Sequence, residues 1–197
     1  MTTETSKAIG ARSALVTGAS SGIGLELAKL FARDGYRLVL VARNRESLTQ
    51  LGKELAGKYG VSVKVIVKDL SVPFAPEEIY VELQKQSITI DVLVNCAGLG
   101  ASGLFSEIDL DTDVRTIQVN MVALTKLTKF FLKDMLQRRN GRILNVASTA
   151  ALQPGPLMAV YYATKAYVLS FSEAPAIALQ LTFDSLAPWI TVDQLAN

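Results

Sequence analysis

The chain has 197 residues, of which 50% are hydrophobic and 19% are charged, so it can bury one sizeable core and we expect a single domain. Its 20 basic and 18 acidic residues are dispersed without a basic block, which argues against a nucleic-acid partner. Histidine is absent, which excludes Ser-His-Asp hydrolysis and HExxH zinc proteases, and no metal-ligand cluster is visible in the sequence.

The first twelve residues form a polar tail without an apolar core of the signal-peptide kind, so secretion is not indicated and we expect a cytoplasmic protein. The single cysteine, Cys96, cannot form an internal disulfide, which agrees with that compartment. Later apolar runs, such as residues 38–42 and 92–94, are much shorter than the roughly 18 residues that a membrane span needs. The sequence therefore predicts no membrane partner.

Strand-like and helix-like segments alternate along the rest of the chain. Gly35 and Gly60 follow the first two helices, at positions where left-handed backbone favours glycine. Near-continuous apolar strands, such as residues 38–41, are typical of a parallel sheet covered on both faces, so we predict an α/β fold with one doubly wound sheet. The predicted order is strand 13–16, helix 22–34, strand 37–42, helix 45–59, strand 62–68, helix 76–86, strand 90–95, helical stretch 112–139, strand 142–147 and a helix from about 158.

A glycine-rich turn joins the first strand to the first helix, whose apolar residues fall at 23, 27, 30 and 31. We expect Gly18 to permit a tight turn, Gly22 to let the backbone approach a pyrophosphate, and Gly24 to allow close packing of helix and strand. The spacing GxxxGxG differs from the general GxGxxG fingerprint, so the glycines alone also fit an ordinary turn. Together with the neighbouring Ser20, Ser21 and Ile23, they predict a dinucleotide site.

The end of the second strand indicates which dinucleotide is used. An NAD site commonly places a carboxylate there, on the ribose 2′-hydroxyl, whereas this chain has Ala-Arg-Asn-Arg at residues 42–45. A guanidinium at Arg43 suits a 2′-phosphate, so we predict NADP(H). The alternative is that Arg43 and Arg45 are solvated residues at the start of a helix.

Tyr161 and Lys165 lie four residues apart, so on a helix they share one face. A lysine ammonium favours the phenolate form of a neighbouring tyrosine, which suits Tyr161 to proton transfer in a chain without histidine. Taken alone, such a pair is more often a surface coincidence. Ser148, after the strand 142–147, is placed to hold a substrate oxygen, although a serine there is ordinarily a turn former.

Together these residues resemble the classical short-chain dehydrogenase/reductase family over roughly the first 170 positions. Thr17 to Gly24 resembles the family's TGxxxGxG motif, and Asp69-Leu70 resembles the pair that contacts the adenine. Residues 95–98 resemble the NNAG motif, with Cys96 at its second position, where a small buried thiol needs no redox role. The resemblance implies a Rossmann-type fold in which Asn95, Ala97 and Gly98 belong to the cofactor site.

The resemblance also implies a catalytic tetrad. Tyr161 would act as acid and base, Ser148 would orient the carbonyl, Lys165 would bind the nicotinamide ribose, and Asn120 would support a proton relay through water. The implied substrate is a small-molecule carbonyl or secondary alcohol, and the implied assembly is a homodimer or tetramer. Extended-type epimerases share the Tyr-xxx-Lys pair, but they usually show TGxxGxxG and a much longer C-terminal part.

The pattern departs from the family after residue 174. Family members continue with a sixth strand, a Pro-Gly turn, a substrate loop and a seventh strand, whereas this chain has Pro175 and then no recognisable equivalent. We therefore expect the helix to stop or kink at Pro175, a domain over residues 13–174 and an atypical tail over residues 175–197 that lacks the C-terminal strands. The alternative function is a catalytically impaired dinucleotide-binding or partner-binding protein derived from a truncated reductase.

Overall fold

The computed structural model describes residues 12–182, with side chains described for residues 12–174. These residues form one sheet of five parallel strands in the order β3-β2-β1-β4-β5. Because all strands run in one direction, their carboxyl ends meet at one edge, where doubly wound folds bind ligands. The strands are β1 (Ser13–Thr17), β2 (Arg37–Ala42), β3 (Val63–Val67), β4 (Val92–Asn95) and β5 (Arg142–Asn145).

The helices lie on both faces of this sheet. They are α1 (Gly22–Arg33), α2 (Arg45–Tyr59), α3 (Ala75–Lys85), α4 (Leu110–Ile117), α5 (Leu124–Arg138) and α6 (Ala159–Thr182), with a π-helical turn at Gln118–Ala123 and a short 3-10 helix at Thr149–Leu152. The ends follow local sequence signals: the Asn44 side chain accepts a hydrogen bond from Ser47 N at 3.0 Å and caps α2, and Gly60 ends it with φ +68°. None of the described helices combines the length and apolarity that crossing a bilayer requires.

The core consists of two apolar layers separated by the sheet. Alternate residues of β1 face opposite sides, so Leu15 packs with α3 and α5, whereas Ala14 and Val16 pack with α1 and α2. All three side chains are fully buried. This two-sided burial explains why the central positions of β1, β2 and β4 are apolar, and it confirms the predicted α/β class and doubly wound sheet.

Two features of the helices differ from the prediction. The long stretch predicted at 112–139 contains the π-helical turn around Asn120. The helix does not stop at Pro175, because α6 continues as helix to Thr182; a proline removes one backbone hydrogen bond and bends a helix without having to end it. A kink there, and the boundary at residue 174, stay predictions. The predicted absence of the C-terminal strands falls partly on residues 183–197, and these residues lie outside the described part of the chain.

Candidate active site

A cavity of about 680 Å³ opens at the carboxyl ends of the five strands. We call its two halves the glycine end, lined by residues 18, 20–24, 41–44 and 68–70, and the tyrosine end, lined by residues 96–100, 119, 146–147, 158, 161 and 165. The strand order places the end of β1 between the ends of β2 and β4, so the turn after β1 adjoins the tyrosine end. The cavity therefore lies where the sheet topology predicts a ligand.

The glycine end has the shape of a phosphate cradle. Gly18 has φ +69°, and a Cβ there would lie 2.9 Å from the backbone of Ala97. A Cβ on Gly24 would lie 2.4 Å from the Gly18 carbonyl oxygen, so helix α1 is packed against the turn, as the glycine pattern predicts. At Gly22 a Cβ would meet nothing within 4 Å. The backbone at Gly22 is therefore open to a ligand, and the unpaired N–H groups of the first turn of α1 face a site that suits a pyrophosphate.

Charged residues surround the outer part of the glycine end. Arg43, which directly follows β2, is exposed and lines the cavity, as do Asp69 and Leu70 after β3. Partial burial acts to raise the Asp69 pKa, but hydrogen bonds from Ser71 N and Oγ, at 2.9 and 2.8 Å, and the charges of Arg43 and Arg115 outweigh it, so the pKa is lowered. Asp69 is therefore a fixed negative charge at neutral pH.

Thr17 joins the two ends of the cavity. Its buried hydroxyl accepts hydrogen bonds from Cys96 N and Ala97 N, at 3.0 and 3.1 Å, and donates one to Val94 O at 3.2 Å. This hydroxyl thus fixes the loop after β4 against the end of β1. The sequence did not indicate this role for Thr17; its one local signal is the position of this threonine directly before the first glycine.

Asn95 lies beneath the cavity, whereas Ala97 and Gly98 line it. The Asn95 amide donates to Thr128 Oγ1 and Asn145 Oδ1, at 3.0 and 2.9 Å, and the Asn145 amide donates to Ser172 Oγ at 3.0 Å. This buried chain of polar groups links β4 and β5 to α5 and α6. Thr128, Asn145 and Ser172 were not predicted, since nothing local in the sequence relates residues so far apart.

Asn120 is buried in the π-helical turn and holds the loop of the tyrosine end. Its Oδ1 accepts from Leu99 N, and its Nδ2 donates to Leu99 O and Thr164 Oγ1, all at 2.8 to 2.9 Å. A Cβ built on Gly98 would lie 3.5 Å from Asn120 Oδ1 and 3.7 Å from Lys165 Nζ, so both side chains lie just behind the loop. In this structure Asn120 positions the site, and it is not among the residues that line the cavity.

The structure brings Tyr161 and Lys165 together on the cavity wall, as their spacing on α6 predicts. The Lys165 ammonium lies 5.8 Å from the centre of the Tyr161 ring and donates to Val146 O at 2.9 Å. The lysine is 6% exposed, and this burial lowers its pKa. The Tyr161 ring lies against Gly100, where a Cβ would be 2.8 Å from Cδ2. The pair is therefore fixed by contacts from β5 and from the loop after β4.

Ser148 lies half-buried at the start of the 3-10 helix, and its Oγ accepts a hydrogen bond from Ala150 N at 3.1 Å. Ser148 thus has the turn-forming role that the sequence analysis gave as its alternative. In the bond from Ala150 N its Oγ is the acceptor, so its own hydroxyl hydrogen can still be donated to another group. Ser148 is not among the residues that line the cavity.

Cys96 lines the cavity with a partly buried thiol. Burial raises its pKa, and the nearby Lys165 charge only partly opposes that effect. A thiol whose pKa is raised is a poor nucleophile, which fits the interpretation that Cys96 has no redox role.

Comparison with known proteins places the chain in a family. Residues 12–186 match the family model described as short chain dehydrogenase. The very-long-chain 3-oxoacyl-CoA reductase of Anas platyrhynchos is 39% identical over 165 residues, which cover 81% of this chain and 52% of that protein. The 17-beta-hydroxysteroid dehydrogenase type 3 of Mus musculus is 36% identical over 169 residues, which cover 83% and 54%.

Solved structures agree with this assignment. The structure of a short-chain dehydrogenase from Sphingobium yanoikuyae in complex with NADPH matches with a TM-score of 0.81 and 36% identity, covering 86% of this chain and 66% of that one. The chain spans about half the length of these curated relatives. From the family model, the relatives and the fold, we conclude that the chain belongs to the short-chain dehydrogenase/reductase family.

Proposed function

We propose that this chain forms the cofactor-binding and catalytic part of an NADP(H)-dependent oxidoreductase that interconverts a carbonyl and a secondary alcohol. The observation that carries the proposal is the placement of Tyr161 and Lys165 in the same cavity as the glycine cradle. One half of that cavity suits a pyrophosphate, and the other half presents a proton donor beside a buried cation. The reductase and dehydrogenase names of the relatives support the same reaction class.

In the proposed mechanism, a dinucleotide held by the glycine end would supply the hydride that reduces the carbonyl carbon. Tyr161 transfers its phenolic proton to the carbonyl oxygen, so hydride and proton together give the alcohol. Lys165 stabilises the negative charge that remains on Tyr161, and its bond to Val146 O fixes the ammonium in place. Ser148 directly follows Ala147, which lines the cavity, and its hydroxyl hydrogen, which the bond from Ala150 N does not use, would donate to the same carbonyl oxygen. Asn120 keeps the loop at Leu99 in position through its two hydrogen bonds to that backbone.

Preference for NADP(H) over NAD(H) is assigned to Arg43. Its guanidinium lies at the end of β2, on the glycine end of the cavity, where a carboxylate would repel a 2′-phosphate. A guanidinium can bind that phosphate through two parallel hydrogen bonds. The NADPH complex of the Sphingobium yanoikuyae protein supports the choice of cofactor.

A large apolar carbonyl compound is the proposed substrate. Exposed apolar side chains lie on two segments that adjoin the cavity-lining residues Gly100 and Met158 and are joined by a hydrogen bond of 2.8 Å from Gly103 N to Leu157 O. Such a patch is costly in water unless it binds something apolar. The relatives named for very-long-chain 3-oxoacyl-CoA and for 17-beta-hydroxysteroid fit this class. The side chains are Leu104, Phe105, Leu152 and Leu157, which are between 52% and 65% exposed.

Self-association through α4 is proposed as well. Leu110, Val114 and Ile117 form one stripe on this helix and are 74%, 52% and 39% exposed. A second copy of the chain would cover this stripe and give the homodimer, or a tetramer built from it, that the family resemblance implies. Cytoplasmic location stays a prediction from the sequence.

The experiment is to measure NADPH consumption by the purified chain with a panel of ketones that range from small to long-chain and polycyclic. We expect turnover that rises with the apolar size of the ketone and is lost in Tyr161→Phe. Saturable NADPH binding without turnover of any ketone would instead favour the alternative, a catalytically impaired dinucleotide-binding or partner-binding protein.

A further inference from the structure

Two basic residues lie side by side at the glycine end. The strand register pairs Ala42 of β2 with Val67 of β3, and Lys68 N donates a hydrogen bond to Ala42 O at 3.0 Å. Arg43 and Lys68 are therefore the first residues after two neighbouring parallel strands, β2 and β3. Both line the cavity. Adjacent like charges repel each other, so this placement favours an anionic ligand between them.

The nearby carboxylates already have partners. Glu78 of α3 forms an ion pair with Lys68, with 2.5 Å between Nζ and Oε2, and keeps the ammonium beside the cavity. Asp69 accepts two hydrogen bonds from Ser71 and lies 3.9 Å from the Arg115 guanidinium. Arg43 forms no ion pair within 4 Å with any of the described residues. The three cations Arg43, Lys68 and Arg115 thus exceed the two carboxylates by one positive charge.

We propose that Lys68 is a second specificity-determining residue, which binds the 2′-phosphate of NADP(H) together with Arg43. The inference rests on the proposed use of NADP(H). A phosphate monoester carries a charge of about −1.5 to −2 at neutral pH, so one guanidinium leaves part of that charge without a partner. Lys68 supplies the remaining cation from the adjacent strand. The Glu78 carboxylate holds the lysine on this side of the sheet, so that little conformational entropy is lost when the phosphate binds.

The ion pair between Lys64 and Glu82 provides a matched control for the pair between Lys68 and Glu78. Lys64 of β3 forms an ion pair with Glu82 of α3, with 2.8 Å between Nζ and Oε1, and Lys64 is not among the residues that line the cavity. Lys64→Met and Lys68→Met each remove one lysine charge and one ion pair between β3 and α3. Any general loosening of that contact would affect the two variants alike, and only the loss of a phosphate ligand would distinguish them.

The experiment is to titrate wild type, Lys64→Met, Lys68→Met, Arg43→Leu and the Arg43→Leu/Lys68→Met double variant with NADPH and with NADH, following cofactor fluorescence. We expect Lys68→Met to weaken NADPH binding about fivefold and to change NADH binding less than about twofold, as for the loss of one partly exposed charge contact. Lys64→Met should bind both cofactors like wild type. The double variant should bind NADPH no better than NADH.

Three results would overturn the inference, and they are distinguishable. If wild type prefers NADPH and Lys68→Met keeps the same preference, Lys68 does not bind the phosphate, although the proposed function stands. If wild type binds both cofactors equally or neither of them, the proposed NADP(H) function fails and the inference fails with it. Equal weakening in Lys64→Met and Lys68→Met would show a general effect on the contact between β3 and α3, and would also overturn it.

Discussion

The two ends of the cavity are built in different ways. The glycine end comes largely from one short stretch, residues 18–24, whose backbone is confined by close contacts at Gly18 and Gly24. The tyrosine end is assembled from the loop after β4, the π-helical turn, β5 and α6, which meet around Lys165. Backbone shape and exposed charge dominate the first end, whereas buried side-chain contacts dominate the second. Cofactor binding and turnover should therefore be separable by mutation.

The largest expected effect is at the tyrosine end. Tyr161→Phe removes the proposed proton donor and keeps the ring against Gly100, so we expect turnover to fall about 10²- to 10⁴-fold, the usual contribution of a general acid. NADPH affinity should stay close to the wild-type value, because the glycine end is untouched. Steady-state kinetics and a cofactor titration on the same sample measure both quantities.

Tyr162→Phe is the matched control for this change. Tyr162 is the next residue on α6; its ring packs against Gly155 and contacts the Tyr161 ring edge-on, and it is not among the residues that line the cavity. We expect this variant to keep turnover within about threefold of wild type, since it keeps the ring and removes only a hydroxyl of a residue outside the cavity lining. Equal losses in the two variants would contradict the assignment of Tyr161.

At the glycine end, two alanine substitutions separate packing from ligand contact. Gly24→Ala places a Cβ 2.4 Å from the Gly18 carbonyl oxygen, so we expect a loss of about 1 to 3 kcal/mol in the free energy of unfolding and a large loss of cofactor affinity. Gly22→Ala meets nothing within 4 Å and has only the strain of φ +53°, about 1 to 2 kcal/mol. Urea unfolding of the free protein measures the free energy of unfolding, and NADPH titration measures the cofactor affinity. A larger loss of unfolding free energy in Gly22→Ala than in Gly24→Ala would refute the packing described for Gly24.

Lys165 gives the tyrosine end a pH dependence in the alkaline range, whereas the lowered pKa of Asp69 at the glycine end acts in the acidic range. Burial lowers the pKa of Lys165, so between that lowered value and the ordinary lysine value the unfolded chain binds one more proton than the folded chain. The free energy of unfolding should therefore rise with pH across this window. Lys165→Met should remove that rise. Unfolding curves for both proteins at several alkaline pH values test it, and the same pH dependence in both would contradict it.

The smallest expected effect uses Cys96, which is the only cysteine in the chain and lines the tyrosine end. Because burial raises the pKa of its thiol, we expect slower alkylation by iodoacetamide at neutral pH than for a free thiol. Bound NADPH should slow the reaction further by occupying the cavity. Mass spectrometry of the alkylated protein measures both rates, and labelling as fast as that of a small thiol would show that the cavity is more open than described.

The glycine end could largely be predicted from the sequence, because local signals specify it. The bounds predicted for β2 and α2 are confirmed, since Asn44 and Gly60 cap the helix through contacts with their own neighbours. The face of α1 that packs on the sheet was less evident: small residues at Gly24, Ala28 and Ala32 are buried there, whereas the larger Ile23 and Leu30 are exposed. Helix α1 packs so closely on the sheet that small side chains fill the buried face between them, and the larger Ile23 and Leu30 side chains lie on the outer face.

The tyrosine end was predictable only as a set of residues. Tyr161 and Lys165 share a helix face, so their contact followed from spacing. Their supports did not: the π-helical turn accompanies the contacts that Asn120 makes with Leu99 and Thr164, which are 21 and 44 residues away. Contacts at such separations depend on the folded topology, and no local pattern encodes them.

The proposed cofactor site is tested most directly by titrating the purified chain with NADPH and, in parallel, with NADH. We expect saturable binding of NADPH, weaker binding of NADH, and a loss of that difference in Arg43→Leu. Saturable binding of neither cofactor would contradict the claim that residues 12–182 form a working dinucleotide site.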